Sequence, residues 1–265
     1  MTNTQDIKPA DLPEEISSSE KIFTAAMDIG EQMLCAGAEV GRVEDTVSRI
    51  CRAYGAEVDI FSITSLIIAT IRTPGGRVLT QTRRASARST DLCRLEDYNA
   101  LSRYICENHP TPEEIQARSD AIRRNRPRRI SRDILGYILA AGGFALFFGG
   151  GYIDGVVSAA VGLLIFLMDR YVKPPAPNAM IYTFLCSAAA GTAAALIFRA
   201  GVLINPDKVM IGDIMVLIPG IAITNSIRDM FSGDIMTGLL RLSESALTSA
   251  AIAAGFAVPV FIFGI

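Results

Sequence analysis

Apolar positions along this chain keep one kind of spacing up to about residue 54, another from 57 to 83, and become nearly continuous beyond residue 134. Ile22, Phe23, Ala26, Met27, Met33 and Leu34 follow helical spacing after a possible cap at Ser18 or Ser19, and Gly37 ends that helix. Val40, Val43, Val47, Ile50 and Tyr54 line one face of a second helix, predicted from about Glu39 to Tyr54 and closed by Gly55. Strand-like runs follow at Glu57–Ser62, Ser65–Arg72 and Arg77–Arg83. Thr73-Pro-Gly-Gly76 makes the last two a hairpin. Ser89 or Thr90 caps a third helix through Ile105, and Thr111-Pro-Glu-Glu114 starts a fourth: a hydroxyl cap, Pro at the first position, acids in the first turn. The pattern predicts a small α/β domain followed by an α-helical membrane bundle.

Five apolar spans build that bundle: Ile134–Gly150, Ile153–Met168, Ala179–Phe198, Val209–Ile227 and Ile235–Gly264. The first two are near the short limit for crossing, and the last exceeds the ~20 residues a span needs. The fourth is broken by Pro219-Gly220. Proline removes a donor and clashes with the preceding turn, so a kink or break is expected, and broken helices at membrane depth are tolerated where they line a cavity. Short-side-chain clusters such as Ala140-Ala-Gly-Gly143 and Ala188-Ala-Ala-Gly191 let helices approach closely.

Charge divides the chain in the same place. Residues 1–133 hold 19 of the 25 Lys and Arg and 20 of the 27 Asp and Glu. The expected organisation is a flexible tail over 1–18, a cytoplasmic α/β domain over 19–117, a basic hinge over 118–133 and a transmembrane domain over 134–265. The tail is acidic and lacks the apolar core of a secretory signal. Seven arginines from Arg118 to Arg132 precede the first span. In that position they hold the hinge in the cytoplasm and attract anionic lipid, and nucleic-acid binding is not expected. Five spans then leave the C-terminus outside. The two basic residues near Arg199–Lys208, on the outer side, are a mild conflict.

Chemistry is sparse in the first half. Glu39, Arg42, Glu44, Asp45 and Arg49 crowd the second helix at spacings that suit surface ion pairs. Ser62, Thr64, Ser65 and Thr82 are possible nucleophiles, but the single histidine, His109, precedes Pro110 in a predicted loop, so no enzyme is expected. The five cysteines form no Cys-x-x-Cys pair and there is no phosphate loop; no metal or cofactor is expected. The last two spans differ. If the fourth stays regular, Asp213, Gly220, Thr224 and Arg228 share a face; on the fifth, Asp234, Thr237, Arg241, Glu244, Ser245 and Thr248 share another. Two readings stand. Arg241 and Glu244 can neutralise each other, and Arg228 and Asp229 can end a helix at the surface. Alternatively these residues form a substrate site: Arg228 or Arg241 neutralising a carboxylate, Thr224, Asn225 and Ser245 hydrogen-bonding polar atoms, backbone at Pro219-Gly220 contacting the ligand, and Asp213, Asp229, Asp234 or Glu244 carrying a coupling ion.

Gly37-Ala-Glu-Val-Gly-Arg-Val-Glu-Asp45 and Ile218-Pro-Gly-Ile-Ala-Ile-Thr-Asn-Ser-Ile-Arg-Asp229, with Gly233-Asp234 and Gly238, resemble the threonine/serine exporter family, as does the order of domains. The resemblance implies a secondary transporter in the cell membrane that exports threonine or serine, proton-coupled. Single-chain members carry a second membrane half, so the chain resembles the split form, in which a smaller membrane subunit supplies that half and the assembly is oligomeric. Split relatives imply a second possibility, export of dicarboxylates such as succinate. A membrane-anchored ligand sensor or hydrolase is the remaining alternative.

Overall fold

A computed structural model describes residues 14–73, 75–85, 90–124, 130–173 and 178–264, with side chains from residue 18 onward. Most of the expected tail and part of the basic run therefore lie outside the described residues. Two compact units result, one joining residues 1–126 with Thr224–Leu240, the other joining Pro127–Ile223 with Arg241–Ile265.

In the first unit, α1 (Glu14–Cys35) begins ahead of the serines expected to cap it. Its packing explains why: Phe23, Ala26, Met27, Met33 and Leu34 are all buried, and an apolar face held by tertiary contacts outweighs local capping. Gly37 closes α1 with φ +90°, and α2 (Val40–Ala53) follows. Three strands, β1 (Glu57–Ile63), β2 (Leu66–Arg72) and β3 (Val78–Arg84), form an antiparallel meander in the order β1-β2-β3. Ile63 pairs with Leu66 and Arg72 with Val78, so both connections are tight. Ile67, Ala69 and Ile71 face the core beneath α1 and α2, while Phe61 and Ile68 stand exposed on the other face. α3 (Leu92–Asn108) is capped by Asp91, whose carboxylate accepts the Arg94 N–H at 3.0 Å, rather than by Thr90; Ser89 lies outside the described residues. α4 (Pro112–Arg124) opens on Thr111, and Tyr98, Leu101, Ile105 and Ile115 complete the core.

The second unit holds α5 (Ile130–Phe147), α6 (Tyr152–Tyr171), α7 (Ala179–Arg199) and α8 (Pro206–Leu217). Two further helices, α9 (Gly220–Phe231) and α10 (Ile235–Phe263), each run partly in one unit and partly in the other. Four described helices are long and apolar enough to cross a membrane, and the bent pair α8–α9 makes a fifth if counted as one span. α5 packs on α6 and α8. The small residues permit this: a Cβ on Gly212 would stand 2.7 Å from the Ala141 carbonyl oxygen and 2.7 Å from Ser158 Oγ. α10 meets α7 in the same way, where Phe256 and Pro259 cover Gly191.

Candidate functional site

The break in the fourth span follows from its sequence. Pro219 pushes the residue before it out of helical geometry, and Ile218 is extended (φ −58°, ψ 131°). α9 restarts at Gly220, bent by 52° from α8. The bend interrupts the face drawn through Asp213, Gly220, Thr224 and Arg228: Asp213 is fully buried, whereas the other three are exposed. On α9 the buried positions are instead Ser226 and Asp229.

In the second unit, the Ser158 hydroxyl donates to Asp213 Oδ1 at 2.9 Å. Asp213 Oδ2, also buried, has no hydrogen-bond partner among the described residues. An acid at this depth with one oxygen unsatisfied is a costly arrangement in a membrane helix, and a proton or small cation would satisfy it. On α10, Arg241 and Ser245 are buried, with the Ser245 hydroxyl donating to the Arg241 carbonyl at 2.9 Å. Glu244 is exposed, so the expected stripe divides into a buried Arg241–Ser245 side and an outward Glu244.

A residue that sequence reading passed over fastens α8. Asp154, in the first turn of α6 and 2% exposed, accepts the Asn205 N–H at 2.7 Å, the Asn205 side-chain amide at 3.0 Å and the Gly151 N–H at 2.7 Å. One carboxylate thus satisfies backbone donors at the starts of two helices.

In the first unit, Thr224–Leu240 forms a hairpin of the end of α9 and the start of α10. Gly233 turns it with φ +99°, and Gly238 lets the two arms close: a Cβ there would lie 2.5 Å from the Ser226 carbonyl oxygen. This hairpin meets the start of α2. Arg228 Nη1 donates to Glu39 Oε1 at 2.5 Å, and Asn225 Nδ2 donates to the Gly37 carbonyl at 3.4 Å. Glu39 occupies the N-cap of α2 but gives its own helix no side-chain cap. Asp234 Oδ2 lies 3.9 Å from the point where a Cβ on Gly41 would stand. One turn on, Glu44 Oε1 accepts the Ser62 N–H at 2.6 Å. Burial raises the Glu44 carboxyl above its ordinary range, and the Asp234 charge adds to the shift against the Ser62 N–H. The segments Gly37–Asp45 and Thr224–Asp234, read separately in the sequence, are therefore in contact. Ser62 and Thr64 are buried, and the exposed His109 packs edge-on against Tyr54 at 5.6 Å.

Over residues 24–263 the chain matches the family described as "Putative threonine/serine exporter". The chain belongs to the threonine/serine exporter family. This family is one of transporters, and its apolar helices make the chain a multi-pass membrane protein. It is 27% identical over 238 residues to the "Probable succinate transporter subunit YjjP" of Escherichia coli, an alignment covering 86% of this chain and 90% of that protein. It is 26% identical over 247 residues to the "Probable threonine/serine exporter" of Mycobacterium tuberculosis, covering 91% of this chain and 46% of that protein. The "Threonine/serine exporter" of Corynebacterium glutamicum is 22% identical, with 94% and 52% covered. The chain thus spans about half the length of these two exporters and most of the succinate transporter subunit. No solved structure matches it.

Proposed function

We propose that the chain is one subunit of a secondary exporter that moves a small carboxylated metabolite, threonine or serine first, out of the cell in exchange for protons. The N-terminal domain sits in the cytoplasm in this reading, and a smaller membrane subunit completes the pathway. The broken helix α8–α9, in a family of transporters, carries the proposal: discontinuous spans set helix ends at membrane depth, where transporters bind their solutes. Substrate binding is assigned to that backbone at Pro219-Gly220 and to Arg241, a buried cation suited to a carboxylate, with Ser245 one turn away. Asp213 is assigned to the coupling proton, with Glu244 the other coupling candidate in the same unit. Thr224, Asn225, Arg228, Asp229 and Asp234 belong to the other unit, where Glu39 already engages Arg228. These five are assigned to controlling access rather than to holding substrate.

Dicarboxylate export is the second reading, favoured by one observation: a relative whose length this chain nearly fills is named a succinate transporter subunit. Efflux from cells loaded with a threonine-containing dipeptide, or with succinate, tests both readings when the chain is expressed with and without a small membrane protein related to the uncovered half of the exporters. Threonine efflux that needs both chains, lost in Arg241→Gln and freed of its pH-gradient dependence in Asp213→Asn, is the expected result. Succinate efflux alone would move the substrate to dicarboxylates. Undiminished transport by Arg241→Gln would overturn the site, and no efflux of either solute would overturn both readings.

A further inference from the structure

A groove of about 490 Å³ runs between α5, α6 and α8, at the end of the second unit where the basic run enters the first span. Arg132, Gly136 and Ala140 line it from α5 at intervals of four residues, so they stack one turn apart on one helix face. Phe166 and Arg170, also four apart, line it from α6. Each helix therefore sets an arginine on the groove with small or apolar groups one turn along the same face. Both arginines are exposed and neither has a hydrogen-bond or ion-pair partner among the described residues. Two acids also border the groove, but they are engaged. Asp169 accepts from Lys173 at 2.6 Å and from the Tyr182 hydroxyl at 3.4 Å, and Asp133 has an interaction of its own. Gly136 faces open space: a Cβ added there would meet nothing within 4 Å.

We propose that this groove is a binding site for one anionic phospholipid of the cytoplasmic leaflet, its phosphate between Arg132 and Arg170 and an acyl chain over Gly136 and Ala140. The chemistry points to an amphiphile rather than a free anion. The cationic rim is continuous with an apolar slot that a soluble phosphate or carboxylate would leave empty, and guanidinium pairs suit phosphate oxygens. Arginines that merely oriented the span would need no slot beneath them.

Native mass spectrometry of the purified full chain, delipidated and then offered phosphatidylglycerol or phosphatidylcholine, tests this. One phosphatidylglycerol per chain should survive activation that strips phosphatidylcholine. Arg132→Gln with Arg170→Gln should weaken its retention by about thirtyfold, from the typical surface contribution of two cations. Arg132→Lys with Arg170→Lys should keep most of it. Gly136→Leu starts its side chain in open space and replaces a poor helix former, so it should lose the lipid without lowering the thermal midpoint of the delipidated chain. Equal retention of the two lipids, or full retention in Gly136→Leu, would overturn the proposal. Displacement of the lipid by millimolar inorganic phosphate would overturn it as well, reassigning the arginines to a free anion.

Discussion

Glu44 accepts the Ser62 N–H of strand β1 and lies near enough to Asp234 of the α9–α10 hairpin to feel its like charge. Its carboxyl lies above the ordinary value of 4.5, chiefly because burial disfavours its charge. The folded chain then holds this proton more tightly than the unfolded chain. The stability it contributes is full below the ordinary value and is lost as pH rises through the raised one. Glu44→Gln keeps an acceptor for Ser62 and has no charge to bury, so its thermal midpoint should exceed the parent's near neutral pH and converge with it under acid. Melting curves of the full chain in detergent from about pH 4 to pH 8 check this, and parallel profiles would show that Glu44 is not the group responsible. Arg228 and Asp234 stood out in the sequence because charge in an apolar run is costly. Glu39 and Glu44 did not, because helical spacing pairs them with neighbours three or four residues away. The partner of Arg228 lies 189 residues upstream, and no local periodicity carries that information.

Elements were more legible than contacts. Strand limits read from turn residues fell within a residue or so of β1, β2 and β3, because Gly-rich turns and alternation fix both ends of short strands. Pro219 likewise announced the break between α8 and α9. The angle of that break was not legible, and the common face of Asp213 and Arg228 required a regular helix, a condition the 52° bend does not meet. Asp154 was missed for a related reason: one acid in the first turn of a helix reads as an ordinary dipole partner. Its three accepted hydrogen bonds instead tie the starts of α6 and α8 together. Asp154→Ala should leave those donors unsatisfied and destabilise the second unit by about 3 kcal/mol, whereas Asp154→Asn, which keeps one acceptor oxygen, should cost about half as much. Thermal unfolding in detergent distinguishes them, and equal, small effects would mean that water replaces the carboxylate at no cost.

At the scale of the molecule, charge divides the chain near residue 133, whereas the first of its two compact units draws on both sides of that divide. Thr224–Leu240, taken from the last two membrane elements, folds with residues from the N-terminal half. The Glu39–Arg228 pair is one charged contact in that union, with side chains 23% and 60% exposed. A pair this open contributes little stability, a coupling of about 0.5–1 kcal/mol in a double-mutant cycle, so its loss should show in the local order of the hairpin before it shows in melting. Glu39→Arg and Arg228→Glu should each expose the Ser232–Asp234 turn to protease, with melting almost unchanged. The double swap should restore protection, because the ion pair re-forms with its sign reversed. Limited proteolysis at low and high salt reads this directly: salt should mimic the single variants in the parent chain, since an exposed pair is screened. If the double swap were as sensitive as the two singles combined, the hairpin would be held by contacts other than this pair, such as that of Asn225 with the Gly37 carbonyl. Control of access would then have to be sought in those contacts rather than in charge.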